Sequence, residues 1–310
     1  MPSPFASLAE PFVVAADDSL VAACKPPRLH SSRGTSGEPC LADWVFERFP
    51  DTAPRGASAG AAAKPSAVTQ GDAAPPDAGR AEAALAEAAE ARFAREGGIL
   101  HRLDYETSGL VLFARSPEAL AFLLKEQEEG RLLKDYLLVA GAGGGGLPGS
   151  RPLLGAPLGA PAWAGRPSEL ESLLGEAGRG GPARVESRFR PYGPGAARVA
   201  CLAPGEEPGR RKRGSPERSY ATLILDGRAL EPGELAGLGL PGEAGPSFFE
   251  AEARISQGFR HQIRAHFAWL GFPLAGDALY GGQPAPRLCL HARRLEFAHP
   301  GTGRPLSIAI

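Results

Sequence analysis

Two acids, two bases and two small hydroxyl residues share the run Ile99-Leu100-His101-Arg102-Leu103-Asp104-Tyr105-Glu106-Thr107-Ser108-Gly109-Leu110. Apolar residues bracket it, so it reads as a loop held between ordered elements, the setting in which catalytic side chains commonly sit. Asp104 with His101 could serve as an acid/base pair. The same residues also fit a plain turn, in which Asp104 folds back on Thr107 and Ser108 and Arg102 is surface charge. A second run, Gln257-Gly258-Phe259-Arg260-His261-Gln262-Ile263-Arg264-Ala265-His266, carries the chain through a glycine loop into a helix. Arg260 and Arg264 fall one turn apart there. An arginine beside a buried carboxylate keeps that carboxylate ionised and directed, whereas a basic amphipathic helix with a solvated face is the more ordinary reading of this segment taken in isolation. His261 and His266 are five residues apart, hence on different faces, with no acid or thiol nearby, and a metal site is not expected. A third run, Gly271 to Gly281, is a glycine-dense loop with one acid, Asp277, and by itself reads as an ordered turn.

These runs need elements to hold them. Phe12–Val14 and Leu20–Ala23 read as short strands about a turn at Asp17-Asp18, ended by Lys25-Pro26-Pro27. Residues 40–49 have helical spacing, with Leu41, Trp44, Val45 and Phe49 on one face. Residues 110–114 form an apolar run of strand length. Ser116-Pro117-Glu118 then opens a helix that stops at Gly130. Strands follow at 132–139 and 248–255, then a helix over about 260–270 with Ile263, Phe267 and Leu270 inward, then a hairpin of 288–297 and 306–310. Strands and helices do not alternate strictly, which predicts an α+β fold rather than a doubly wound sheet.

Between 51 and 96 the composition turns to Ala, Gly and Pro, and it reads as a low-complexity insertion whose later part has the propensity for a surface helix. Residues 141–182 are Gly/Pro-rich, and 210–213 form a basic run with Arg218 beyond it. The formal net charge is -1, so any nucleic-acid surface must come from local clustering of Arg and Lys. Cys24, Cys40, Cys201 and Cys289 are scattered, which speaks against a zinc site or a disulfide framework. Neither a signal peptide nor a transmembrane run is visible, so the expectation is a soluble, cytoplasmic, monomeric protein with reduced thiols.

Taken in order, HRLDxxTSGL, a Lys-x-Tyr strand (Lys134, Tyr136), GxxHQIRxH, GxPxxGDxLYG and LHAxxLxFxHPxTG resemble the RluA family of RNA pseudouridine synthases. Lys25-Pro26 also looks like that family's opening segment. The resemblance covers most of residues 11–50 and 97–140 and nearly all of 217–310, and implies one catalytic domain spanning the chain, with no S4 domain. Its fold would be a mixed, mostly antiparallel sheet with flanking helices and a central active-site cleft. The implied reaction isomerises selected uridines in ribosomal or transfer RNA to pseudouridine, with no cofactor and no metal.

By the same resemblance Asp104 is the catalytic carboxylate, Arg264 its ion-pair partner and Tyr136 the ring that stacks on a flipped-out uracil. Arg102, Leu103 and Thr107, with Arg260, His261, Gln262 and Ile263, line the substrate side. Arg102 would reach into the gap left by the extruded nucleotide. Family members commonly carry a basic residue and then Thr or Lys before His-Gln, where this chain has Phe259 and Arg260. A catalytically inactive RNA-binding factor and a hydrolase built on Asp104 and His101 are the competing readings. The first has no need of an intact acid, ring and arginine. The second lacks another placed carboxylate or a nucleophile elbow.

Overall fold

The computed structural model describes residues 5, 8–34, 37–55, 78–142, 182–203, 218–241 and 248–310. The first part of the insertion, nearly all of the Gly/Pro-rich stretch and the basic run at 210–213 lie outside the described residues. The chain divides into two compact units. The Asp104 unit comprises Ala9–Tyr105, Gly109–Leu132 and Leu295–Ile310, and the Arg264 unit comprises Met1–Leu8, Glu106–Ser108 and Leu133–Arg294.

In the Asp104 unit, β1 (Phe12–Ala16) and β2 (Leu20–Lys25) form a hairpin whose turn is set by the Asp17 carboxylate. Its Oδ1 accepts from the backbone N–H of Ser19 at 2.7 Å and of Leu20 at 3.0 Å. β2 pairs antiparallel with β3 (Ser108–Ala114), in register from Leu20↔Ala114 to Lys25↔Gly109. Both strands are buried along their whole length, which is why they read as unbroken apolar runs rather than alternating ones. α1 (Leu41–Arg48) buries Leu41, Ala42 and Val45. α3 (Pro117–Glu128) begins where the Ser116 side chain accepts from Ala119 N–H at 3.2 Å, and is followed by Gly130 at φ 74°. The second half of β9 (Leu290–Ala298) and β10 (Pro305–Ala309) complete the unit.

The alanine-rich end of the insertion departs from the surface helix expected of it. It forms α2 (Ala78–Glu96), and Ala89 and Phe93, one turn apart, are fully buried in a cluster with Leu120, Leu123 and Leu295. Burying a ring of that size stabilises by about 1.5–3 kcal/mol, so this helix belongs to the core. The ends of the excursion are joined: Gly98 N–H donates to Thr52 O at 2.7 Å, and Gly98 O accepts from Ala114 N–H at 2.7 Å. A Cβ on Gly98 would stand 1.8 Å from Ala114 O, so no other residue fits.

In the Arg264 unit the strand order is β9–β4–β8–β7–β5–β6, from the first half of β9 through β4 (Leu133–Gly141), β8 (Phe248–Ile255), β7 (Tyr220–Ala229), β5 (Ala183–Tyr192) and β6 (Arg198–Leu202). From β4 onward each neighbouring pair is antiparallel. β5 turns Ala183, Val185, Ser187 and Phe189 inward on alternate positions, the period of a half-buried strand. A short helix, α4 (Pro232–Gly237), opens on a capping box between Glu231 and Glu234. α5 (Gln262–Leu270) is buried on every side and ends at Gly271, φ 92°. The architecture is α+β, with largely antiparallel strands and few helices. Among the described residues no helix is long and apolar enough to cross a membrane.

α5 differs from its expected form in a way that matters for the site. His261 takes φ 58°, in the left-handed region, so the helix starts at Gln262 and Arg260 lies before it. Arg264 is 4% exposed, and the solvated basic face is absent.

Candidate active site

Within the Asp104 unit, main-chain clamps hold the acid. Leu103 is fixed by a reciprocal pair of bonds, its N–H donating to Ser31 Oγ and its carbonyl accepting from Ser31 Oγ, both at 2.9 Å. The carbonyl of Tyr105 accepts from Arg28 N–H at 2.8 Å and from Lys25 Nζ at 3.2 Å. Asp104 thus sits between two residues whose peptide groups are each tied to the segment following β2. Its own side chain is half-buried and Arg102 is exposed beside it.

Lys25 is fully buried, and its ammonium also donates to Leu29 O at 2.7 Å and Pro26 O at 3.0 Å. An ammonium has three protons and no acceptor function, so three carbonyls suit it. Arg28 takes φ 59° where the segment turns under Tyr105. From the other direction, Arg92 of α2 donates through Nη2 to Ile99 O at 2.9 Å and Leu100 O at 3.0 Å. That guanidinium steadies the chain just before His101. Neither Ser31 nor Arg92 stands out in the sequence, because a lone serine or arginine reads as surface, and Lys25 was legible only as part of the Lys-Pro opening segment.

The Lys25 clamp can be tested by Lys25→Met. Carbonyls left without a buried donor cost about 1–3 kcal/mol each, partly offset by removing a buried charge, so a net loss of about 2 kcal/mol is expected in urea unfolding. An unchanged urea midpoint would mean the clamp contributes nothing.

In the Arg264 unit the central contact is a buried ion pair. Arg264 Nε donates to Asp277 Oδ2 at 2.7 Å and Nη2 donates to Asp277 Oδ1 at 2.8 Å, a bidentate fork with both side chains out of solvent. Its guanidinium lies 5.4 Å from the centre of the Tyr280 ring. Gly276 precedes Asp277 at φ +77°, and a Cβ there would meet Arg287 O at 2.0 Å, so glycine is needed to deliver the acid. Asp277 was legible only as the acid of an ordered turn, and its pairing with Arg264 carries no signal in spacing.

The residues around Arg264 are spent on structure to differing degrees. Gln262 is buried: its Oε1 accepts from Phe259 N–H at 3.0 Å, and its Nε2 donates to Ala221 O at 2.9 Å and Thr222 Oγ1 at 3.3 Å. Ile263 is in the core. His261 is half-buried, its Nδ1 3.2 Å from Tyr280 OH. Arg260 is exposed but donates to Ala196 O at 2.6 Å and Arg198 O at 3.2 Å, bracing the β5–β6 turn. His266 lies between Ser187 Oγ (2.9 Å) and Thr222 Oγ1 (2.8 Å), and burial drives its pKa down to about 3, so it stays neutral.

The Thr107-Ser108 segment of this unit meets a second polar cluster. Arg287 Nη2 donates to Ser108 Oγ, and Ser108 Oγ lies 2.8 Å from His291 Nδ1. Burial, then the charges of Arg287 and Arg293, hold His291 at a pKa of about 4. A neutral imidazole facing a hydroxyl that already accepts from Arg287 takes the hydroxyl proton on Nδ1. Thr107 is 2% exposed, and its Oγ1 has no hydrogen-bond partner among the described residues. Tyr136 lies on β4, 7% exposed.

The comparisons with known proteins agree with these motifs. The family model described as RNA pseudouridylate synthase matches residues 61–158, the stretch that contains Asp104 and Tyr136. An uncharacterized RNA pseudouridine synthase of Chloroflexus aurantiacus is 26% identical over 211 residues, 67% of this chain and 47% of that protein. Ribosomal large subunit pseudouridine synthase D of Pseudomonas aeruginosa is 39% identical over 66 residues, 16% of this chain and 21% of that one. The chain thus spans about half the length, or less, of the curated relatives it matches. The fold is similar to that of human RNA pseudouridylate synthase domain containing 1, with a TM-score of 0.51 at 16% identity, over 98% of this chain and 84% of that one. With the HRLD loop, the Lys-x-Tyr strand and the HQIR helix all in place, the chain is similar to the RNA pseudouridine synthases, among them ribosomal large subunit pseudouridine synthase D, over the stretch that contains Asp104 and Tyr136.

Proposed function

We propose that the protein isomerises selected uridines of ribosomal or transfer RNA to pseudouridine, working as a cytoplasmic monomer whose two units form one catalytic domain. The glycosidic C–N bond breaks, the base rotates, and C5 bonds to the ribose, with the C5 proton lost and N1 protonated. The reaction is an isomerisation and calls for no redox equivalent or nucleotide. Asp104 acts against the ribose, as a nucleophile or by taking a ribose proton. Tyr136 offers an aromatic face to the extruded uracil, a contact that holds a base without reading much sequence. By the family resemblance Arg264, held in place by its fork with Asp277, is the arginine of the catalytic set. Arg102, Leu103, Thr107, Arg260, His261, Gln262 and Ile263 shape the substrate side.

The observation that carries this reading is the Asp104 loop itself. A half-buried carboxylate stands between peptide groups clamped through Ser31 and Lys25, which is a costly arrangement for a simple turn. The test is to incubate the purified protein with unmodified total RNA and map new pseudouridines by carbodiimide-stop sequencing. New stops at defined uridines are expected, and they name the substrate. RNA that is bound but carries no new stops would leave an inactive RNA-binding factor as the function.

A further inference from the structure

Lys134 and Tyr136 lie two residues apart on β4, so both point to one face of that strand, roughly 6–7 Å apart along it. Lys134 is 4% exposed and stands opposite Ile255 on β8. Among the described residues its ammonium has no hydrogen-bond or ion-pair partner. The acid next to it in sequence is committed elsewhere. Asp135 points to the other face and takes Arg254 as a fork at 2.6 and 2.8 Å, with Arg294 at 3.7 Å. One residue shapes the surroundings of the Lys134 amine. A Cβ added to the exposed Gly258 would stand 3.7 Å from Lys134 Nζ, so the glycine leaves that side of the amine uncovered.

A buried cation with no counter-ion destabilises the fold that holds it. Burial alone, with no charged neighbour contributing, pulls the Lys134 amine down to a pKa of about 8. Such an arrangement is relieved by an anion that arrives from outside, and the ring of Tyr136 on the same face fits a nucleic-acid base. A uracil carbonyl would be served by a neutral donor. An anionic oxygen is what a cation in this position answers.

We propose that Lys134 is a substrate-contacting residue whose ammonium receives a phosphate oxygen of the nucleotide that stacks on Tyr136. This rests on the RNA reading above. It assigns the Lys-x-Tyr pair a joint task, the tyrosine taking the base and the lysine the backbone beside it.

Lys134→Met is the variant to make, because methionine fills a similar apolar volume without the charge. It is expected to melt at a higher temperature than the wild type, since a buried unpaired charge is gone. The same variant should bind an oligouridylate at least tenfold more weakly in low salt. Its plot of log affinity against log salt should flatten by about 0.7, the increment of one phosphate contact on a single strand. Lys134→Arg should keep the wild-type slope. Should the methionine variant fail to fold, the wild type supplies the answer. Saturating oligouridylate should protect the Lys134 amine from acetylation, as read by peptide mass. An unchanged salt slope in a folded Lys134→Met, or full labelling in saturating RNA, overturns the assignment. Binding and labelling are read without turnover, so a protein that binds RNA yet makes no pseudouridine would end the enzyme reading and leave this one standing.

Discussion

Asp104→Asn is expected to bind RNA as the wild type does and to lose at least about a thousandfold in pseudouridine formation, the scale seen when a bond-forming or proton-transferring group is removed. The amide has nearly the shape of the acid but neither its charge nor its basicity. It can neither attack the ribose nor hold a ribose proton. The loop should keep its course, because the clamps on Leu103 and Tyr105 run through backbone groups to Ser31, Arg28 and Lys25. Single-turnover rates on the RNA identified by mapping would give the result, with a thermal melt beside them. A folded Asn variant keeping more than about a tenth of the rate, a loss under about 1.4 kcal/mol of barrier, would remove Asp104 from the chemistry.

The second large effect concerns stability. Asp277→Ala strands the Arg264 guanidinium in a buried position, and removing one partner of a buried ion pair costs about 3–5 kcal/mol. A loss of that size is a large share of the stability of most domains, so the variant should be partly unfolded at growth temperature. Chemical denaturation gives the number. The double variant Arg264→Met, Asp277→Leu separates fold from function. Replacing the whole pair by apolar groups is often neutral or stabilising, so the fold should return while pseudouridine formation does not. Recovery of both would show Arg264 to be structural alone.

Much of the Asp104 unit was legible from residue order. β2 and β3 announce themselves as apolar runs, and Ser116-Pro117 followed by Gly130 marks α3 at both ends, because these signals act within a few residues. The Asp104 loop was readable as chemistry for the same reason. What escaped reading depends on residues far apart in the chain. Lys25 meets Tyr105 across 80 positions, and the fork between Arg264 and Asp277 forms through a glycine loop that has no period. Composition misled twice. An alanine-rich stretch looked like a surface helix, yet Ala89 and Phe93 are core residues. A run with two arginines looked like a basic face, yet α5 is buried throughout. β5 carries a period-2 pattern that was open to reading, but the Gly- and Pro-rich sequence before it drew attention away.

The join between Thr52 and Gly98 has a consequence for how the protein can change. Because Gly98 N–H meets Thr52 O at the base of the excursion, the chain that leaves the core there comes back to the same point. Lengthening a loop whose ends are already together costs only about 0.6 kcal/mol per doubling. α2 must stay, since Phe93 fills the core and Arg92 steadies the residues before His101. Because the two ends of the excursion are held at that join, added sequence ahead of α2 changes little there, and the excursion is a permissive port. An epitope, a fluorophore site or an entire guest domain spliced in ahead of α2 is expected to leave the melting temperature of the protein within a few degrees of the parent's.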